Sequence, residues 1–249
     1  MSIRRHIPNT ITSMNLFAGS VAVIFALKGW STWAVFLIMA AAIFDFLDGF
    51  AARLLKAYSP IGKELDSLAD MVSFGLAPSL LLYYRYSQSL SPYISGDNSS
   101  ISFELLTFFP LIIAVFSGLR LAKFNVDIRQ SENFIGLPTP ANALIISMLI
   151  YFTTINQTLD PILNTVWFIP VLSFILSMLL VCEMTMFSMK FKSTDWRKNK
   201  SRYIFLSICS VIIIINALLG LDWSLSILII FILYIIINFI IFIGNSKRI

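Results

Sequence analysis

The stretch from Asp45 to Asp70 reads DFLDGFAARLLKAYSPIGKELDSLAD and places four aspartates in a very hydrophobic chain. Asp45 and Asp48 are three residues apart, and Asp66 and Asp70 are four residues apart. If both flanks are helical, each pair projects from one helix face, because residues at these spacings are neighbours on a helix. Four converging carboxylates repel one another unless a positive charge lies between them, and divalent cations with oxygen ligands suit that role. The stretch therefore predicts two helices that share an acidic, metal-binding site.

The composition places this stretch in a membrane protein. Of 249 residues, 58% are hydrophobic and 12% are charged, and the mean hydropathy is +0.85. Soluble domains contain roughly 25% charged residues, so an all-α polytopic membrane protein is expected. A spanning helix needs roughly 20 mostly apolar residues, and eight stretches qualify: about 12–28, 31–52, 67–86, 104–123, 139–157, 162–184, 203–220 and 223–245. The first lacks a convincing small-residue cleavage site, so we interpret it as a mature helix rather than a signal peptide.

The distribution of basic residues indicates how these spans are oriented. With eight spans both termini lie on one side, and every Lys and Arg except Lys28 and Arg85 falls on that side. Because basic residues concentrate in cytoplasmic loops, that side is predicted to be the cytoplasm. The chain is then a multi-pass protein of the cell (cytoplasmic) membrane with its aspartates at the cytoplasmic face. The net charge of +5 reflects this topology, and no nucleic-acid partner is predicted.

Two explanations compete for the acidic stretch. The acids could simply pair with the nearby cations Arg53, Lys56 and Lys63. Such pairing explains one or two carboxylates but not four, and ionised residues at membrane depth are expensive and usually mark function. Gly49 and Ala52 remove side-chain bulk where a ligand could press against the helix, and Arg53 offers a bidentate donor suited to phosphate. A functional site is therefore the preferred interpretation.

Identities at fixed intervals in this stretch carry a resemblance to a known family. Residues 45–70 match D-x-x-D-G-x-x-A-R-x8-G-x-x-x-D-x-x-x-D without a mismatch, and this pattern is similar to the signature of the CDP-alcohol phosphotransferase family. The resemblance implies the fold of that family and a membrane enzyme in which an acceptor alcohol displaces CMP from a CDP-linked lipid. It also implies two divalent cations (Mg or Mn) held by Asp45, Asp48, Asp66 and Asp70, with Asp70 as the general base.

The resemblance also assigns residues to the head of the CDP-linked lipid. Its acyl chains are expected to stay in the bilayer while the CDP head enters a polar cleft between the first three helices. Arg53 is expected to contact the diphosphate, and the small residues of the motif leave room for the nucleotide. The expected CDP-lipid-binding residues are Asn9, Thr12, Gly49, Ala52, Arg53 and Gly62.

Three further segments resemble the type II phosphatidylserine synthase branch of this family: IPNTITSMNLFAG at 7–19, SGLRLAKFN at 117–125 and GLPTPA at 136–141. The donor would then be CDP-diacylglycerol and the acceptor L-serine. A cationic group such as Arg120 or Lys123 would recognise the serine carboxylate, and Asn125 and Thr139 complete the expected serine site. Glycerol 3-phosphate would also need cations, so charge alone leaves the acceptor open and the resemblance favours serine.

The extent of the resemblance defines the expected organisation of the chain. It covers roughly the first 145 residues, so a single integral membrane domain (1–249) is expected, with a catalytic core at about 1–145 and additional transmembrane helices at about 146–249. Family resemblance alone suggests a homodimer surrounded by membrane lipids. The one histidine, His6, stands in the N-terminal stub, so no Ser-His or Cys-His pair is available and direct transfer is expected.

Two alternatives stay open at this point. The same chemistry could use another acceptor, glycerol 3-phosphate or inositol phosphate, or a lipid with ether-linked chains. From a different class, the aspartates could line the pathway of a divalent-cation transporter. Against transport, the carboxylates cluster at one face, and no acidic residue sits in the middle of a later predicted span to continue a pathway. Glu183 is the nearest exception, and it falls near the cytoplasmic end of its predicted helix.

Overall fold

The protein is helical along almost all of the chain that the structure, a computed structural model, describes: residues 6–94, 101–127, 134–186 and 196–246. The α-helices are α1 (His6–Leu27), α2 (Ser31–Leu54), α3 (Pro60–Asp70), α4 (Ala77–Ile94), α5 (Ile101–Thr107), α6 (Ile112–Val126), α7 (Thr139–Ile155), α8 (Asp160–Leu163), α9 (Phe168–Val181), α10 (Trp196–Leu218) and α11 (Trp223–Ser246). A π-helical segment, Met71–Leu76, joins α3 to α4, and short 3-10 turns at Phe109–Leu111 and Gln157–Leu159 precede α6 and α8. The predicted all-α class is confirmed.

Apolar helices coincide with all eight predicted spans. Within the described ranges, five helices are long and apolar enough to cross a membrane: His6–Leu27, Ser31–Leu54, Pro60–Ile94, Ile101–Val126 and Trp223–Gly244. Thr139–Ile155 and Arg202–Leu218 are shorter apolar helices. The predicted span at 162–184 is broken, since Gln157–Leu163 and Phe168–Val181 meet at 87° and form a sixth span only if counted together. The chain is therefore a multi-pass membrane protein, while the count of eight spans and the cytoplasmic termini stay predictions.

The third helix begins before its predicted apolar stretch. Ser59 caps it, its hydroxyl oxygen accepting a hydrogen bond from the backbone N–H of Gly62 at 3.0 Å, and Pro60 occupies the first helical turn. Both residue types favour a helix N-terminus, because Ser satisfies an otherwise unpaired N–H and Pro has none to satisfy. Asp66 and Asp70 therefore lie within an established helix, as their spacing requires.

Small residues bring α1 against the π-helical segment that follows Asp70. A Cβ added at Gly19 would lie 2.8 Å from the Cα of Ser73, and the Ser73 hydroxyl donates to the backbone carbonyl of Asn15 at 3.1 Å. Helices in membranes approach closely where such small residues meet. This contact fixes α1 beside α3 and so places the N-terminal part of α1 next to the acidic stretch.

A two-residue strand pair ties the start of α7 to the chain after α9. Strand β1 (Phe134–Ile135) pairs antiparallel with β2 (Thr185–Met186). Gly136 follows with φ of 76°, its N–H donating to the carbonyl of Met184 at 2.9 Å, and the Leu137 N–H donates to the carbonyl of Leu179 at 2.8 Å. The positive φ suits glycine. This junction positions residues 138–140, which begin α7 beside the acidic stretch.

Candidate functional site

Three of the four aspartates converge between α2 and α3. One carboxylate oxygen from each of Asp45, Asp48 and Asp66 lies within 4.8 Å of the others. Asp48 is buried, and Asp48 Oδ2, Asp66 Oδ1 and Asp70 Oδ1 are buried without a hydrogen-bond partner among the described residues. Buried polar atoms without partners are costly, and oxygen ligands at this spacing suit a hard divalent cation. The residues present therefore fit Mg or Mn.

Asp70 lies one helical turn beyond Asp66 and outside that set of three. It is only 9% exposed, and Arg120 of α6 lies close enough to interact with it electrostatically. Its Oδ1 is buried without a hydrogen-bond partner among the described residues, although this positive charge lies nearby. The two predicted pairs thus come together, with Asp45, Asp48 and Asp66 in one cluster and Asp70 beside it.

A first cavity of about 230 Å³ opens on one side of the aspartates; we name it the α1–α3 cavity. Its lining comes from α1, the end of α2, the connection before α3 and α3 itself. The lining residues are Pro8, Asn9, Thr12, Asp48, Gly49, Ala52, Arg53, Ala57, Tyr58, Ser59, Gly62, Lys63 and Asp66. All six residues predicted to bind the CDP-linked lipid are among them. Carboxylates and cations thus share one cleft between the first three helices, as a phosphate-bearing ligand with metal ions requires.

The two glycines in this cavity have different physical roles. A Cβ at Gly62 would lie 2.8 Å from Asn9 Oδ1 and 2.9 Å from Ser59 Oγ, so a side chain there would require both of these side chains to move. A Cβ at Gly49 would meet only a guanidinium nitrogen of Arg53, at 3.7 Å, which is ordinary van der Waals contact. Packing against the described residues therefore does not require glycine at position 49. Its lack of a side chain instead enlarges the cavity.

A second cavity of about 200 Å³ opens on the other side of the aspartates; we name it the α3–α7 cavity. Its lining residues are Asp45, Lys63, Asp66, Ser67, Asp70, Arg120, Leu121, Phe124, Asn125, Pro138, Thr139 and Pro140. Three of the four residues predicted to bind serine, Arg120, Asn125 and Thr139, therefore lie together here.

Hydrogen bonds hold the walls of the α3–α7 cavity. Arg120, 7% exposed, donates through a terminal guanidinium nitrogen to Thr139 Oγ1 at 3.3 Å, and its buried Nε has no partner in the described chain. Asn125 Nδ2 donates to Ser67 Oγ at 2.9 Å and so links α6 to α3. A buried guanidinium with an unused donor suits an anionic group such as a carboxylate or phosphate.

Lys123, the fourth residue predicted to bind serine, is not among the residues that line the α3–α7 cavity. Its ammonium forms an ion pair with Glu183, just beyond α9. Both side chains are substantially exposed, and the packing of α9 beside α6 provides this partner. The structure thus brings Arg120 to the site and leaves Lys123 in a contact at its edge.

Sequence reasoning missed Lys63, which lines both cavities. Its charge was explained by membrane topology and by possible pairing with the acids. One local signal was available: Lys63 precedes Asp66 by three residues, so the two side chains share a face of α3. Ser67, Phe124, Pro138 and Pro140 were also not predicted, because their place in the cavity depends on contacts between distant helices.

Comparison with known proteins agrees with this geometry. A family model described as CDP-alcohol phosphatidyltransferase matches residues 5–181. A protein named CDP-diacylglycerol–serine O-phosphatidyltransferase from Helicobacter pylori (strain J99) is 34% identical over 145 residues, 57% of this chain and 56% of the relative. The Bacillus subtilis protein of that name is 35% identical over 162 residues, 64% of this chain and 79% of the relative.

A third relative of the same name comes from Methanocaldococcus jannaschii and is 36% identical over 140 residues, 56% of this chain and 58% of the relative. The match thus spans little more than half the length of the Helicobacter and Methanocaldococcus relatives. The matched family model, in contrast, covers well over half of this chain and includes every residue that lines the two cavities. The chain belongs to the CDP-alcohol phosphatidyltransferase family.

Proposed function

We propose that the protein transfers the phosphatidyl group from CDP-diacylglycerol to L-serine, giving phosphatidylserine and CMP. One observation carries this proposal: two cavities meet at the aspartates, one with every residue expected for the donor and one with a buried arginine suited to an anionic acceptor. The names of the relatives support serine as the acceptor. We place the enzyme in the cytoplasmic membrane, as a homodimer with its site facing the cytoplasm.

The donor would occupy the α1–α3 cavity with its acyl chains in the bilayer. Arg53 would bind the diphosphate, and Gly49, Ala52 and Gly62 would leave space for the nucleotide beside Asn9 and Thr12. Asp45, Asp48 and Asp66 would hold Mg or Mn, with Asp70 completing a second site. The bound cations would supply positive charge to the diphosphate and the departing CMP.

The acceptor would occupy the α3–α7 cavity. Arg120 would bind the serine carboxylate, with Thr139 and Asn125 fixing the wall around it, and this geometry would hold the hydroxyl near Asp70. The serine oxygen forms a bond to the phosphatidyl phosphorus as the bond from that phosphorus to the CMP oxygen breaks, and CMP leaves with the electron pair. Asp70 takes the hydroxyl proton, and positioning contributes much of the rate.

The location of the site supports the proposed organisation of the chain. The residues that line the two cavities fall between Pro8 and Pro140. We therefore propose a catalytic core at about 1–145 within a single domain of residues 1–249. The helices of residues 146–249 would then support the core, as β2 does through its pairing with β1.

A CMP-release assay on the purified protein tests the reaction. CDP-diacylglycerol and Mg or Mn are supplied with serine, glycerol 3-phosphate or inositol phosphate in turn. We expect CMP release that depends on serine, with phosphatidylserine as the lipid product. Release with another alcohol alone would overturn serine as acceptor, and a phosphatidyl-enzyme trapped without serine would overturn direct transfer.

A crossed pair of variants tests the assignment of the two cavities. Arg120→Ala should raise the serine KM and leave the affinity for CMP unchanged, because Arg120 lines only the α3–α7 cavity. Arg53→Ala should weaken CMP binding and leave the serine KM unchanged, because Arg53 lines only the α1–α3 cavity. Asp70→Asn should abolish transfer while the protein still binds CMP. Equal loss of both affinities in Arg120→Ala would make Arg120 a structural residue.

A further inference from the structure

Lys63 lies where the two cavities adjoin. Among the lining residues, Lys63 and Asp66 are the two that belong to both cavities. Arg53 lines the α1–α3 cavity alone, and Arg120 lines the α3–α7 cavity alone. Lys63 is therefore the cation that the described residues place at the junction.

The contacts of Lys63 leave it available to a ligand. Its Nζ donates to the backbone carbonyl oxygen of Asn125 at 3.0 Å, and its side chain is exposed. No described carboxylate lies within ion-pair distance of it, unlike Lys123. A lysine ammonium has three donors, so two donors remain while the bond to Asn125 is kept. The flexible four-carbon stem also lets the charge follow a ligand between the cavities.

On the basis of the proposed function, we propose that Lys63 binds the phosphoryl group that is transferred. If donor and acceptor bind in the two cavities, the phosphorus that passes from donor to acceptor must lie at their junction. Negative charge on the non-bridging oxygens of that phosphorus needs a donor there, and catalysis of phosphoryl transfer depends mainly on positioning and charge stabilisation. Lys63 would donate to such an oxygen throughout, keeping its own proton, while the serine proton goes to Asp70.

The competing explanation is that Lys63 only fastens α3 to α6. Its bond to the Asn125 carbonyl, with the bond between Asn125 Nδ2 and Ser67, joins these helices at the cavity wall. The two roles differ in what they predict for ligands. CMP lacks the transferred phosphate, and CDP-diacylglycerol carries it. Loss of a phosphoryl contact would therefore lower the affinity for CDP-diacylglycerol and leave the affinity for CMP unchanged. A loosened contact between α3 and α6 would not separate the two affinities.

The test compares Lys63→Gln, Lys63→Arg and Lys56→Gln in the full-length protein in detergent. Gln removes the charge and keeps a donor for the Asn125 carbonyl, and Arg keeps the charge. Lys56 is an exposed cation in the same connection that lines neither cavity. Affinities for CMP and CDP-diacylglycerol, kcat, both KM values and the unfolding midpoint are measured.

We expect Lys63→Gln to lower kcat/KM for CDP-diacylglycerol about 100-fold, the scale for loss of one stabilising donor. Its affinity for CMP, its serine KM and its unfolding midpoint should stay near those of the unsubstituted protein. Lys63→Arg should recover part of the loss, and Lys56→Gln should match the unsubstituted protein.

Specific outcomes overturn the proposal. Unchanged turnover and unchanged CDP-diacylglycerol affinity in Lys63→Gln would exclude a phosphoryl contact. Equal weakening of CMP and CDP-diacylglycerol, or a loss that Arg does not recover, would assign Lys63 to the helix contact. The affinity comparison needs no acceptor, so failure of the unsubstituted protein to use serine would refute the proposed acceptor while Lys63 is still tested.

Discussion

Gly49→Ala should change stability and ligand binding in opposite directions. Gly49 lies within α2, and a Cβ there would meet only Arg53, at 3.7 Å. Alanine is favoured over glycine in a helix interior by roughly 0.5–1 kcal/mol, so the folded protein should become more stable by about that amount. The methyl group, however, would occupy space in the 230 Å³ cavity assigned to the nucleotide.

The cost to binding follows from the same geometry. Forcing an extra carbon into a closely filled space costs roughly 1–3 kcal/mol, which corresponds to about 5- to 150-fold weaker binding. Gly49→Ala should therefore bind CDP-diacylglycerol more weakly while it unfolds at a higher temperature. Thermal unfolding in detergent without nucleotide, together with equilibrium binding of CDP-diacylglycerol and CMP, measures the two effects separately.

Two other glycines serve as controls. Gly244, in α11, has no atom within 4 Å of an added Cβ, so Gly244→Ala should leave binding unchanged and should not lower stability. Gly19→Ala should lower stability, because its Cβ would lie 2.8 Å from the Cα of Ser73. If Gly49→Ala binds CDP-diacylglycerol like the unsubstituted protein, the α1–α3 cavity is not the donor site. If it unfolds at a lower temperature, the reasoning about packing at position 49 is wrong.

Three further predictions concern the start of α7, the metal site and Lys123. Gly136→Ala should lower the free energy of unfolding by roughly 2–5 kcal/mol, because φ is 76° and the added Cβ would lie 2.4 Å from the Leu180 carbonyl oxygen. The control Gly220→Ala, with φ of 64° but no atom within 4 Å of the added Cβ, should lower it by only about 1–2 kcal/mol in thermal unfolding. Adding Mg or Mn to metal-free protein should raise the unfolding midpoint, because metal at 100 times its Kd adds about 2.7 kcal/mol to the free energy of unfolding. Asp66→Asn should reduce that gain in calorimetry. Lys123→Ala should cost less than about 1 kcal/mol, as for other exposed ion pairs, and leave the serine KM unchanged; a marked rise in that KM would return Lys123 to the acceptor site.

The sequence alone determined the class of protein and the central motif. Apolar stretches of membrane length and helical spacing are local properties, and the helices overlap all eight predicted stretches. The helical repeat alone places Asp45 with Asp48, and Asp66 with Asp70, on single helix faces. The motif then predicted that the two helices share one site. Four of the six residues expected at the nucleotide end, Gly49, Ala52, Arg53 and Gly62, lie within that motif. The other two, Asn9 and Thr12, lie in α1, and the structure collects all six in one cavity.

Only the tertiary structure decided which cations line the two cavities. Lys63, Arg120 and Lys123 carry the same charge, and all three stand near the ends of predicted spans, where membrane topology explains them equally well. The partners differ: Arg120 is buried beside Asp70 and Thr139, Lys123 is paired with Glu183, and Lys63 lies at the junction of two cavities. Burial and pairing depend on how α3, α6, α7 and α9 pack, and these contacts join residues far apart in the chain. Local spacing places Lys63 on the same face of α3 as Asp66, but it carries no information about contacts between helices. The free energy of a buried charge depends on those contacts, because other helices supply its neighbours.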